Sequence, residues 1–216
     1  MPEKRRSPRG AARALAGAAA LALVGAAEPG GDPGAIRGRV TLAVEGVRLA
    51  DLGPVIVYLD ALPGQTPSER PRAVPTVSQR NAQFSPTFLA VAAGDSVSMP
   101  NNDAIYHNVF SYSKPNQFDL GLYPGGESRS VLFAHPGVVK IYCSIHESMS
   151  GTIFVAPSPW FERVGPDGTF ALAGVPPGSY RLRTWSEKLP ESSRSVRIAP
   201  GATLSVELSL GASPGP

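Results

Sequence analysis

From residue 28 onward, no stretch of this chain places apolar residues at helical spacing. Short apolar runs recur instead, many of them alternating, and Gly, Pro, Asn or Asp separates them. IRGRVTLAV (36–44) alternates, while PVIVYLDAL (54–62) is almost continuously apolar, as suits a strand covered on both faces. FLAVAAGDSVSM (88–99) reads as two strands around a Gly-Asp turn. IYHNVFSYS (105–113), SRSVLFA (128–134), VVKIYC (138–143) and SGTIFVA (150–156) continue in the same style. The 23 glycines and 23 prolines among 216 residues imply many turns. Together these features restrict the chain to an all-β fold, with a Greek-key β-sandwich over residues 75–156.

A second composition begins near Pro157. PDGTFALAGVPPGSYRLRTW (166–185) reads as a turn, a strand, a tight PPG turn and another strand, and IAPGATLSVELSL (198–210) as a last hairpin-like pair. Three strands are too few for an independent sandwich. Runs 36–44 and 54–62 can supply the missing ones. The expectation is therefore one smaller β-sandwich, formed by residues 28–74 and 157–212 and interrupted by the 75–156 unit. A polar, proline-rich connection, PGQTPSERPRAVP (63–75), leads into the insertion.

The first 27 residues differ from everything after them. Lys4, Arg5, Arg6, Arg9 and Arg13 lead into ALAGAAALALVGAA, a run of small apolar residues too short to span a bilayer. This reads as a signal peptide over 1–27, hence a periplasmic or otherwise exported protein with no membrane span after cleavage. Cleavage takes away five basic residues and one acidic one, leaving 15 basic against 16 acidic. No basic stripe remains to attract nucleic acid.

Export sharpens the meaning of the single cysteine. In an oxidising compartment a lone thiol has no intramolecular partner and is vulnerable unless it is buried or bound to something. YCSIHESM (142–149) places Cys143, His146 and Met149 within one loop at the end of a strand, and YHNVFSYS offers His107. Two imidazoles and one thiolate, with a weak thioether, are the donor set of a type 1 copper centre. Zinc prefers a stronger fourth ligand than methionine. Met99 reads as packing and His135 as a surface residue. Tyr106, Phe110, Phe118 and Tyr142 read as core aromatics, and Trp160, Phe161 and Trp185 as exposed ones. A Cys-His hydrolase fits poorly, because a nucleophilic cysteine needs an oxyanion site, usually at a helix N-terminus, and the methionine is left unexplained.

With those residues in view, residues 79–156 resemble the cupredoxin family, in particular its plastocyanin- and amicyanin-like members. The matching pattern is His107-Asn108 followed by Cys143-x-x-His146-x-x-Met149. The runs QRNAQFSPTFLAV, NNDAIYHNVFSYS, FDLGLYPGG and YCSIHESMSG more narrowly resemble bacterial methylamine-utilisation-like proteins. In those, a cupredoxin accompanies a transthyretin- or carboxypeptidase-regulatory-like sandwich, which DGTFALAGVPPGSYRLRTW resembles. The resemblance implies a non-enzymatic protein with one type 1 copper ion, passing single electrons to a redox partner such as a periplasmic cytochrome or dehydrogenase. It gives Asn108 the role of tying the ligand loops together. Glu147 departs from the family, which commonly has Pro there. A copper carrier or store would use the same four ligands, and the sequence does not separate it from an electron shuttle.

Overall fold

In this computed structural model the described residues are 31–60 and 73–211. The expected signal peptide and most of the 63–75 connection lie outside them. Sixteen strands and one short 3-10 turn (Leu49–Leu52) make up the regular structure of the described residues. No helix among them is long and apolar enough to cross a membrane.

Strands β1 (Gly34–Leu42) and β2 (Val55–Leu59) precede the middle of the chain but pair with strands that follow it. β1 runs antiparallel to β13 (Thr169–Val175) and parallel to β16 (Thr203–Leu210). β2 lies between β12 (Phe161–Arg163) and β14 (Gly178–Ser186), with β15 (Ser192–Ile198) on the far side of β14. These two sheets enclose one core, which includes Ile36, Val57, Leu59, Leu182 and Leu208. Gly38 sits where β1 passes closest to its neighbours: a Cβ there would lie 2.1 Å from the Val206 carbonyl oxygen, so no larger residue fits without a shift.

Two readings of this region need correction. Residues 157–211 carry five strands rather than three, and the last two are not a hairpin: β15 joins the β14 sheet and β16 the β1 sheet. β15 escaped notice because only Val196 and Ile198 of SSRSVRI are buried, and β12 is three residues long.

The middle of the chain builds a second set of sheets. β5 (Phe88–Ala92), β11 (Ser150–Ala156), β10 (Gly137–Tyr142), β7 (His107–Ser111) and β8 (Phe118–Tyr123) form a five-stranded sheet in that order. β6 (Ser96–Pro100) pairs with β9 (Ser128–Leu132), and β3 (Ser78–Arg80) with β4 (Gln83–Ser85). Their shared core contains Val97, Met99, Phe133, Val139, Ile141 and Ile153, together with Cys143 and Met149.

A third apolar cluster joins the two halves. Ile56, Tyr58 and Trp185 of the β2–β14 sheet face Phe154 and Ala156 of the five-stranded sheet. The Trp185 ring stacks on Phe88 at 5.8 Å and meets Phe154 at 4.8 Å. This second contact explains why β2 is apolar on both faces: Val55, Val57 and Leu59 point into one core, Ile56 and Tyr58 into the other. It also corrects the aromatic assignments, because Trp160 and Trp185 are buried, whereas Tyr106 and Tyr142 are exposed.

Candidate metal centre

Strand β10 ends at Tyr142, held against Phe110 of β7, and delivers Cys143 into the core with 4% of its surface exposed. The loop that follows is closed by two backbone hydrogen bonds. Met149 N–H donates to the His146 carbonyl at 2.9 Å, and Cys143 N–H to the Met149 carbonyl at 3.2 Å. Those bonds turn the chain back on itself, so Cys143, His146 and Met149 face one region while β11 resumes the sheet. Met149 is buried in the same apolar cluster as Cys143. His107 opens β7, the strand beside β10, and is wholly buried.

The structure brings together the residues singled out in the sequence. The Nδ1 atom of His107 lies 3.7 Å from Cys143 Sγ, and that of His146 lies 4.0 Å away. All three donor atoms fall within 4.8 Å of one another, and the imidazole centroids are 4.9 Å apart. An ion bound at about 2.0 Å by nitrogen and about 2.3 Å by sulfur, with trigonal angles, places each nitrogen roughly 3.7 Å from the sulfur. The two nitrogen–sulfur distances therefore suit a single ion. The donor chemistry selects which one: a thiolate and a thioether suit Cu(I), and imidazole suits both copper states. Met99 is core packing, and His135 is exposed and outside the cluster.

Burial alone pushes the Cys143 thiol up. The backbone N–H groups of Asn108 and Ile145, with the rings of His107 and His146, more than offset it and bring the group down to about 6. The thiolate a metal requires is thus already favoured at neutral pH. Asn108 does tie the loops: its Oδ1 accepts from Ser144 N–H at 2.7 Å and from the Ser144 hydroxyl at 2.9 Å.

Two residues near the site were not singled out from the sequence. Asp103 Oδ2 lies 2.7 Å from His107 Nε2, and the same carboxylate accepts from the backbone N–H groups of Asn81 and Ala82. Buried Asn101 fixes the loop before His107, donating to the Ile105 and Tyr123 carbonyls and accepting from Asp103 N–H. Gly125 backs onto that loop so closely that a Cβ would sit 1.9 Å from the Asp103 carbonyl oxygen. The available signal was the acid four residues before His107 in NNDAIYH, which reads as turn composition.

Two imidazoles and one thiolate converging on one point, with a methionine in the same loop, form a donor set suited to copper. Residues 73–156 match the family described as copper binding proteins, plastocyanin/azurin family. That match spans less than half of the chain, and the cofactor its donor set fits is copper. Solved structures similar to it include a purple cupredoxin from Nitrosopumilus maritimus, 24% identical, covering 38% of this chain and 99% of that one with a TM-score of 0.35. A methionine-to-alanine mutant of amicyanin in its Cu(I) form is 20% identical, covering 46% and 97% with a TM-score of 0.37. A reduced proline-to-phenylalanine mutant of amicyanin is 23% identical, covering 44% and 96% with a TM-score of 0.36.

Proposed function

We propose that this is an exported type 1 copper protein that carries single electrons between redox partners. His107, Cys143 and His146 would hold the copper as its three strong donors, with Met149 as the weak fourth. The observation that carries this reading is the convergence of two Nδ1 atoms on one buried thiol that is already acidic. Bound copper supplies a one-electron couple. The chain supplies donors acceptable to both oxidation states and holds them still. Ser144 is clamped by Asn108, and the loop to Met149 is closed on both sides, so the donors have little freedom to rearrange when the charge changes. His107 is sealed in the core, whereas His146 is only half-buried, which makes its ring the shorter way out for an electron. Ile105, Tyr106 and Ile145, neighbours of the two histidines in the chain, expose large apolar surfaces suited to a redox partner such as a periplasmic cytochrome or dehydrogenase.

The same proposal takes residues 1–27 as the export signal. It takes the strands at the two ends of the chain as one carboxypeptidase-regulatory-like sandwich interrupted by the cupredoxin. Support for the interruption comes from β1 and β2, which hydrogen-bond to strands after residue 157.

Voltammetry of the copper-loaded protein tests the electron-carrying role. Fast, reversible one-electron cycling is expected. Slow, irreversible reduction together with ready loss of Cu(I) to a chelator would instead assign a copper carrier or store.

A further inference from the structure

The strand pair β3–β4 turns at Asn81 and Ala82, and both residues adopt left-handed backbone conformations, with φ of 53° and 52°. Two adjacent non-glycine residues in this region are strained, and such strain persists only where the surroundings hold it in place. Here a single carboxylate does so. Asp103 Oδ1 accepts from Asn81 N–H at 2.6 Å, and Oδ2 from Ala82 N–H at 2.9 Å. Oδ2 also faces His107 Nε2 at 2.7 Å, and the histidine exposes nothing to solvent.

We propose that the Asn81–Ala82 turn, Asp103 and His107 form one positioning relay for the copper site, with Asp103 as its positioning residue. The turn amides fix the carboxylate, and the carboxylate fixes both the tautomer and the orientation of the imidazole. An ionised carboxylate only accepts hydrogen bonds, so Nε2 carries a proton and Nδ1 is the nitrogen turned toward Cys143 Sγ, at 3.7 Å. The negative charge next to a ligand also favours Cu(II) over Cu(I), so the relay lowers the reduction potential. A carboxylate that merely braced the turn would need no histidine. A carboxylate that merely paired with the histidine would not hold two strained amides.

The inference rests on the copper reading, but part of its test does not need copper. In the copper-free wild-type protein, nitrogen-15 NMR should show a proton on His107 Nε2. Finding Nε2 bare overturns the proposal without any variant. Asp103→Asn keeps the side-chain volume and removes the charge. It should mix the His107 tautomers and raise amide exchange at Asn81 and Ala82 at least tenfold. In the copper-loaded form it should shift the equilibrium toward Cu(I) about tenfold, or about 59 mV for a one-electron couple. Asp103→Glu should recover part of both the tautomer and the potential. Unchanged tautomer and potential in Asp103→Asn would reduce Asp103 to a turn brace and overturn the relay. A wild type that binds copper without colour would sink the electron-transfer reading, while the tautomer result would still decide the relay.

Discussion

The two halves of the molecule are both β-sandwich-like, yet their interiors differ in kind. The core formed by the chain ends is built from Val, Leu, Ile, Phe, Tyr and Trp. Its side of the molecule buries only small hydroxyls among polar side chains, at Ser158, Thr184 and Ser186. The half that carries the metal site buries Gln79, Asn101, His107, Asn108 and Asn116, and among the described residues every buried Asn, Gln and His lies there. Buried polar groups cost stability unless they are paired. Asn101, His107 and Asn108 all have hydrogen-bond partners, and each makes at least one bond within or to a segment that carries a ligand. The difference teaches that one core is optimised for packing, whereas the other carries a polar scaffold for the metal site.

Trp185 is the place to break that comparison hardest, because it joins the two interiors. Trp185→Ala should cost about 3–5 kcal/mol and split a single thermal transition into two. The copper colour should then follow the transition of the metal-bearing half alone. A single unsplit transition would mean that the halves do not unfold independently.

A contrast of two smaller changes sharpens the same point. Leu182 is fully buried in the chain-end core. Leu182→Ala should destabilise by about 2–5 kcal/mol and leave the visible spectrum of the folded protein unchanged. Asn108→Ala should cost less, about 0.5–1.5 kcal/mol, because it removes the acceptor that holds the exposed Ser144 in place, and yet it should alter the copper spectrum. Spectral change in the first variant or none in the second would contradict the division of roles.

How much of this was legible in the sequence follows from the same contrast. His107, Cys143, His146 and Met149 could be read because their donor chemistry is rare in combination and three of them share one loop. Asp103 could not, because an acid in NNDAIYH has the composition of any turn, and its role depends on the hairpin at Asn81 and Ala82 being folded against it. Alternation identified most strands but not which faces another sheet covers. Trp160 and Trp185 therefore read as exposed although both are buried, and Tyr106 read as core although it is 57% exposed. β15 and β12 escaped because edge strands with polar faces carry little periodic signal.

Protons offer a gentler probe of the metal half. The Cys143 thiol lies at about 6 in the folded protein, below its ordinary value. A depressed group stabilises the fold fully above its unfolded pKa and loses that contribution as pH falls through the folded one. The copper-free protein should therefore lose stability as pH falls from about 8.5 to about 6, and change little from this source below that. Thiolate ultraviolet absorption should rise with a midpoint near pH 6. A midpoint at the ordinary thiol value would mean that Asn108, Ile145 and the imidazoles do not stabilise the anion.

The smallest effect is expected at Met149. Met149→Leu nearly conserves volume, so it should cost less than about 1.5 kcal/mol. Removing a weak axial donor that favours Cu(II) should raise the reduction potential while the colour persists. An unchanged potential would make Met149 a packing residue.

The central claim is that Cys143 binds copper through its sulfur in a site also held by His107 and His146. Visible absorption and EPR spectra of the copper(II)-loaded protein, recorded beside Cys143→Ser, test it most directly. The account predicts an intense thiolate-to-copper band with a narrow copper hyperfine splitting in the wild type, and no such band in the serine variant, whose fold is retained. Stoichiometric copper binding with no visible colour in the wild type, or a band that survives in Cys143→Ser, would contradict it.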